Sequence, residues 1–502
     1  MNRINRYLFD RYQIMLGYLG MLMLVIGGVM LSPLIVIIFT PSEAKYGLPF
    51  IVIATILAGI GLLIRYGFGL RKIEALDFTE SSVIVFVTWF MISIAGAIPY
   101  MVISGMNFTH AVFDSVSGWT TTGLSMLNIL EAPKIILFYR AWTQFIGGAV
   151  FAIIMLASLT GVGAQHIYSA EGKGTLIKPN VLASVRIVIS LYVGYFLLGT
   201  IAYMALGMNF LDAVVHCFGA ISTGGFSNYP QSIGYFDSSM IELVTEILMI
   251  LGNLNFLTGY FIAKGKFRSI ARNGEVKVMT IALMIAIPVV FFGVTSRIYE
   301  SLSYAARVSV FESVSALTTT GFSLVNYNQP GWYDNGVFVL ILLMLIGGGT
   351  CSTAGGIKQA RIYMMFKSIT WRMKQSLLPS KAVKQDFLWE GDLKVYTDEK
   401  RHFETGSFLA LYLGLFALGT MIISMSTNPL TGMAYSLRDA MFEFASSIGT
   451  VGLSIGVSTT SAPLHVIWTE TLGMLLGRLE FFVVFIAIVK LFKDSLSHFG
   501  IK

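Results

Sequence analysis

The residues of this chain that could do chemistry are small hydroxyl residues and glycines recurring in one order. AVFDSVSGWTTTGLS (111–125), AVVHCFGAISTGGFS (213–227), VFESVSALTTTGFS (310–323) and MFEFASSIGTVGLS (441–454) align on Gly123, Gly225, Gly321 and Gly452, each followed by Leu or Phe and then Ser. One TTTG alone is a turn after a helix. Four in the same register, each between long apolar runs, form an internal repeat. A cation stripped of its water needs several oxygen ligands, and rings of backbone carbonyls supply them without the excessive grip of carboxylates. Glycine permits the positive φ that turns successive carbonyls towards one axis.

Such loops must be held by elements of matching number. Each copy begins with about ten helix-compatible residues, too few to cross a bilayer, and the second and fourth start from Asp212 and Asp439, suitable N-caps. The expected unit is an outer helix, a half-length re-entrant helix, a polar extended segment and an inner helix. Non-helical backbone survives at membrane depth only when buried in protein or lining a water-filled path, and four segments converging on a pseudo-fourfold axis satisfy that condition. The negative C-terminal ends of the short helices would then favour a cation at the axis and disfavour an anion.

The remaining sequence is composed for a membrane. The 502 residues are 55% hydrophobic and 12% charged, with a mean hydropathy of +0.74. Roughly ten runs are long enough for a hydrocarbon layer of ~30 Å: 14–40, 48–66, 82–104, 135–160, 184–206, 239–262, 278–297, 336–365, 406–425 and 464–489. The first is longer than the core of a secretory signal and is expected to stay. The fold class expected is an all-α polytopic membrane protein with four pseudo-repeated units around one pore. The expected partition is a hairpin (1–70), units at 71–160, 161–263 and 264–366, a cytoplasmic loop (367–405) and a fourth unit (406–502).

The net charge of +7 falls into place if both termini are cytoplasmic. Arg65, Arg71, Lys72, Lys173, Lys178, Arg186, Lys264 to Lys277 and the cluster from Lys358 to Arg401 then face the cytoplasm. That charge reads as topology rather than as a nucleic-acid surface. Cys217 and Cys351 have no metal-ligand spacing and suggest no disulfide. No HExxH, GxSxG, Walker A or GxGxxG segment occurs, so an enzyme is not expected.

With these units, the chain from about residue 70 to 490 resembles the Trk/Ktr/HKT superfamily of potassium transporters. The hairpin at 14–66 is similar to the extra helix pair of its TrkH/TrkG-like branch. The resemblance implies potassium as the transported ion, with no organic cofactor on this chain. It implies filter positions at Thr121, Thr122, Gly123, Thr223, Gly224, Gly225, Thr319, Thr320, Gly321, Thr450, Val451 and Gly452. Glycine at the four aligned positions implies selectivity for K⁺, whereas serine in the first loop accompanies sodium-selective plant members. A sodium-selective or sodium-coupled transporter is the alternative. The fourth loop departs most, with Gly449-Thr450-Val451 in place of three threonines. The resemblance further implies a homodimer, a cytosolic TrkA-like nucleotide-binding partner, surrounding membrane lipid, and residence in the inner membrane of a prokaryote.

Two features lie beyond these loops. Gly347, Gly348, Gly349, Thr350, Cys351, Ser352, Thr353, Ala354, Gly355 and Gly356 interrupt the third inner run. Glycine costs roughly 0.8–1 kcal/mol against alanine in a helix, so a mobile loop beneath the filter is expected, with close helix packing as the alternative. The family's intramembrane gate loop lies at this place. Arg478 falls near the middle of the fourth inner run, where an unpaired arginine costs ~2.5–3.5 kcal/mol. It is expected to face the pathway or the gate-loop carbonyls; the alternative is a stabilising partner for Glu480 or Glu443. In the family an arginine here is a barrier to permeation. Asp114, His216, Glu312 and Glu443 share one aligned position nine residues before each glycine. They are expected to support the loop backbone from behind, or alternatively to concentrate cations.

Overall fold

The computed structural model describes residues 3–67, 76–150, 181–327, 331–332, 334–377, 387–390, 393–397, 399–429 and 431–498. The C-terminal part of the 135–160 run, and the basic residues Arg71, Lys72, Lys173 and Lys178, lie outside the described residues.

Four segments follow one order of elements. The outer helices are Phe78–Ser104, Val181–Ala205, Gly274–Val290 and Glu399–Ser424. Each leads to a short helix, Phe108–Trp119, Phe210–Ile221, Leu302–Leu317 and Leu437–Gly449, then to a loop and an inner helix. The caps of the short helices differ from expectation. Asn107, Asn209, Ser301 and Ser436 are the N-caps, accepting from the backbone N–H three residues on. Asp212 and Asp439 therefore stand one turn inside, where a carboxylate still complements the positive helix end. A neutral amide or hydroxyl at the true cap satisfies the orphan donor without adding charge.

The inner helices are the irregular ones, which explains the difference in span count. Six described helices cross by length and composition, and two bent pairs raise the number to 8. Ser239–Asn253 and Phe256–Ala263 meet at 118°, and Leu464–Leu479 and Phe481–Leu496 at 100°. The 336–365 run is interrupted, its helix ending at Leu345 and resuming at Gln359. Hydropathy alone merges both sides of such breaks. Arg478 consequently lies one residue before the end of a helix that stops at Leu479, not in the middle of a straight span.

Packing closes the four segments into a ring. The inner helix of each lies against the short helix of the next: Lys134–Phe145 on Phe210–Ile221, Ser239–Asn253 on Leu302–Leu317, Asp334–Leu345 on Leu437–Gly449, and Leu464–Leu479 on Phe108–Trp119. The N-terminal helix Arg3–Leu31 pairs with Leu48–Gly67, their backbones meeting where a Cβ on Gly61 would lie 2.6 Å from the Gly20 carbonyl oxygen. Arg11 grips Glu80 of the first outer helix, and Tyr12 donates to Asp494 of the C-terminal helix at 3.0 Å. Between the third and fourth segments stands a small antiparallel hairpin, Phe387–Glu390 with Leu393–Tyr396, which the sequence reading did not anticipate.

Candidate functional site

The four loops share one backbone. Thr121, Thr223, Thr319 and Thr450 have φ of 58°, 52°, 53° and 51°, and Gly123, Gly225, Gly321 and Gly452 have φ of 98°, 72°, 82° and 99°. The residues between them, Thr122, Gly224, Thr320 and Val451, are not among the residues of positive φ, so the hand alternates along each loop. A left-handed threonine costs roughly 1–2 kcal/mol, and the loop compensates with hydrogen bonds. The N–H groups of Thr122, Gly224, Thr320 and Val451 donate to the carbonyls of Ser117, Gly219, Ser315 and Ser446 at 2.9, 2.8, 3.0 and 2.8 Å.

Each aligned glycine faces the next loop. A Cβ on Gly123 would strike the Gly224 carbonyl oxygen, one on Gly225 that of Thr320, one on Gly321 that of Val451, and one on Gly452 that of Thr122, all under 3.0 Å. These contacts run in one direction and close on themselves. The four loops therefore surround one axis in chain order, and glycine is required both by φ and by its neighbour's carbonyl. Val451 keeps the same backbone form as Thr122 and Thr320, so the departure of the fourth loop lies in the side chain alone.

Behind the loops, the residues nine before each glycine hold the serine two after it. Ser125 donates to Asp114 at 2.5 Å, Ser323 to Glu312 at 3.0 Å and Ser454 to Glu443 at 2.6 Å, while His216 Nε2 and Ser227 Oγ are 2.9 Å apart. The acids also accept backbone N–H groups, from Met126 at 2.8 Å, Leu324 at 2.8 Å and Ile455 at 2.9 Å. All four side chains are buried, and these contacts are those of a brace on the loop.

Beneath the loops, residues 346–358 form a folded, non-helical plug. Gly347 to Gly356 are buried apart from the half-buried Thr350. The neck is closed by Gly347 N–H to the Ile357 carbonyl (2.9 Å) and Ile357 N–H to that of Leu345 (3.0 Å). Gly349 N–H donates to the Asn253 carbonyl at the 118° bend (3.0 Å), and Thr350 N–H to the Glu275 carboxylate (2.7 Å). Thr353 Oγ1 reaches the carbonyls of Ile221 and Gly252 at 3.1 and 3.0 Å, and Gly355 N–H reaches Thr319 Oγ1 at 3.0 Å. The helix-packing alternative is not the observed form. Cys217 and Cys351 are buried and form no disulfide.

Arg478 fastens this plug across the ring. It donates to the Thr353 carbonyl at 2.6 Å and to the carbonyls of Gly147 and Gly148 at 2.5 Å each, joining the fourth inner helix to the plug and to the first inner helix. Glu480 instead bonds Arg361 at 2.7 and 3.1 Å, and the Arg361 guanidinium lies 3.7 Å over the Phe408 ring. Glu443 is occupied by its own loop. The ion-pair alternative for Arg478 therefore does not describe these contacts.

Sequence reasoning missed three sets of residues here. Gly147, Gly252 and Gly477 let the inner helices touch the last turn of the short helices: a Cβ on each would strike the carbonyl oxygen of Trp119, Ile221 or Ile448. Their nearly constant position after each loop was a detectable signal. Glu275 and the Arg361–Glu480 pair come from distant segments and carried none. Gln144 was also missed; it donates to the Gly224 carbonyl at 2.5 Å and accepts from the Phe226 N–H at 3.1 Å.

Comparison with known proteins gives a family, relatives and a fold. Residues 54–498 match the family model TrkH, described as a cation transport protein. An uncharacterized cation transporter of Methanocaldococcus jannaschii is 29% identical over 86% of this chain and 87% of its own. The Trk system potassium uptake protein TrkH of Halomonas elongata is 29% identical over 94% of this chain and 97% of its own. The crystal structure of the potassium transporter TrkH from Vibrio parahaemolyticus has the same fold, with a TM-score of 0.80 at 24% identity over 95% of this chain and 98% of that one.

Proposed function

The chain belongs to the TrkH family of cation transport proteins, and from that premise we propose that it carries potassium into a prokaryotic cell through the ring of four loops. The ring closure of glycine against neighbouring carbonyl carries this reading. Four turns of alternating hand present uncharged oxygens around one axis, and the negative ends of four short helices lead into them. An ion arriving there exchanges water for the carbonyls flanking Gly123, Gly225, Gly321 and Gly452. An anion meets only oxygen lone pairs and is excluded.

Below the filter the ion meets the plug. Gly347 to Gly356 form the gate, and Arg478 is its latch, because the guanidinium holds the plug to two inner helices and places a positive charge in the cation's path. Opening requires Thr353 to leave Ile221, Gly252 and Arg478. The protein sits in the inner membrane with both termini cytoplasmic, the polarity that the basic loops support. By family likeness it acts as a homodimer, and the basic stretch from Lys358 to Arg401 is the docking face for a TrkA-like nucleotide-binding subunit.

Uptake of ⁸⁶Rb⁺ into proteoliposomes tests the reading. K⁺ is expected to compete fully and Na⁺ weakly. Equal competition by Na⁺ would favour the sodium-transporting alternative, and no uptake above that of protein-free vesicles would contradict transport.

A further inference from the structure

Gly224 differs from the other filter glycines, because its φ is not positive and the turn does not demand glycine there. The equivalent residues of the other loops carry side chains: Thr122, Thr320 and Val451. In the first and third loops those threonines clasp the hydroxyl two residues earlier, Thr120 to Thr122 and Thr318 to Thr320, each at 2.8 Å. The second loop has Ser222 and Gly224 in these places and no such clasp. A Cβ on Gly224 would lie 2.5–2.8 Å from the carboxamide of Gln144, which therefore fills the missing side chain's space.

Gln144 is wholly buried on the inner helix of the preceding segment. Its Nε2 donates to the carbonyl just before Gly225 and its Oε1 accepts from the N–H just after it, so one planar amide spans the filter position. Counting back three residues from Gly252, Gly347 and Gly477, as Gln144 stands to Gly147, gives Met249, Met344 and Met474, also wholly buried. Each inner helix packs on the following short helix. By this count and the helix packing, the positions that correspond to Gln144 and Gly224 are Met249 and Thr320, Met344 and Val451, and Met474 and Thr122. Three quarters use an apolar inner residue and a side chain on the loop. One quarter uses a polar inner residue and none on the loop.

We propose that Gln144 is a positioning residue for ion selection, substituting for the absent side chain of the second loop and fixing the Gly224 carbonyl that abuts Gly123. The inference rests on the filter reading above. A carbonyl already accepting a hydrogen bond has less freedom to close around a smaller ion, so Gln144 holds this part of the ring at one radius. A methyl thioether cannot do so, since it neither donates to Gly224 nor accepts well from Phe226.

The test is a double-mutant cycle read as the rate of ⁸⁶Rb⁺ uptake into proteoliposomes and, in every variant that takes up the ion, as the ratio of K⁺ to Na⁺ competition against it, with melting temperature measured alongside. Gln144→Met is expected to lower that ratio on the order of fivefold, the size of one net hydrogen bond. Gly224→Thr alone is expected to lose uptake by collision with the amide. Gln144→Met combined with Gly224→Thr gives the second quarter the pairing of the third and is expected to recover uptake and selectivity beyond the sum of the single effects. If Gln144→Met fails to fold, Gln144→Glu keeps the side-chain length and the acceptor for Phe226, and as a carboxylate lowers the ratio by losing the donor. Wild-type selectivity in the folding single variant, or a double variant no better than additive, would overturn the proposal. Wild-type vesicles that do not discriminate K⁺ from Na⁺ would instead refute the filter reading on which it rests.

Discussion

At the scale of the residue, the informative atom at Gly321 is the one that is missing. Its φ of 82° and the Val451 carbonyl both exclude a Cβ. Gly321→Ala is expected to cost about 1–2 kcal/mol in backbone strain and to push two adjacent quarters apart. The measurement is ⁸⁶Rb⁺ uptake with Na⁺ competition, where reduced flux and reduced K⁺ preference should appear together. Arg478 gives the opposite prediction. Arg478→Ala frees the plug from Gly147 and Gly148 and removes the positive charge, so uptake should rise severalfold, while Arg478→Lys, lacking the guanidinium fork, should fall between. Flux unchanged in both would remove Arg478 from gating. The four glycines were legible in the sequence because they repeat. Gln144 was not, since a glutamine in an apolar run shows no partner until the second loop is folded against it.

At the scale of the element, a short helix, its loop and one buried brace act as a unit. Glu443 receives Ser454 Oγ, Ile455 N–H and Ser458 N–H, the last at 3.0 Å. Glu443→Ala leaves the buried Ile455 N–H without an acceptor, at a cost of about 1–3 kcal/mol, frees the half-buried Ser454 and Ser458 donors, and should lower both melting temperature and flux. Glu443→Gln retains an acceptor and should retain much of both. If these residues served instead to concentrate cations, the two variants would lose flux equally with no change in melting temperature. The shared position of Asp114, His216, Glu312 and Glu443 was visible in the alignment, and their bonds to the serines follow from it. The caps were misread because Asp is as good an N-cap as Asn or Ser on propensity, and only chain geometry places the start three residues earlier. The bends at 118° and 100° left no hydropathy signal, since both halves of each pair are apolar.

At the scale of the whole molecule, the ring is held from outside as well as within. Arg11 and Glu80 tie the N-terminal hairpin to the first outer helix, and the Glu80 side chain is 3% exposed. Removing one partner of such a buried pair costs about 3–5 kcal/mol, whereas replacing both with apolar residues is often neutral. Arg11→Met should therefore lower the melting temperature of the purified protein, and Arg11→Met with Glu80→Met should restore most of it while uptake is retained. A double variant as unstable as the single would show that the hairpin docks by other contacts. The membrane class and the four-segment order were legible in composition and repeat. The cyclic order was not, because inner helix against next short helix is a non-local contact that no single segment encodes.

The most direct test of the account is ion competition in proteoliposomes carrying wild type or Gly123→Ser. The Cβ that this substitution adds would meet the Gly224 carbonyl oxygen, so the account predicts that K⁺ outcompetes Na⁺ in the wild type and that this preference falls in the variant while uptake remains measurable. A variant with unaltered K⁺ preference would contradict the placement of selectivity in the ring of four glycines.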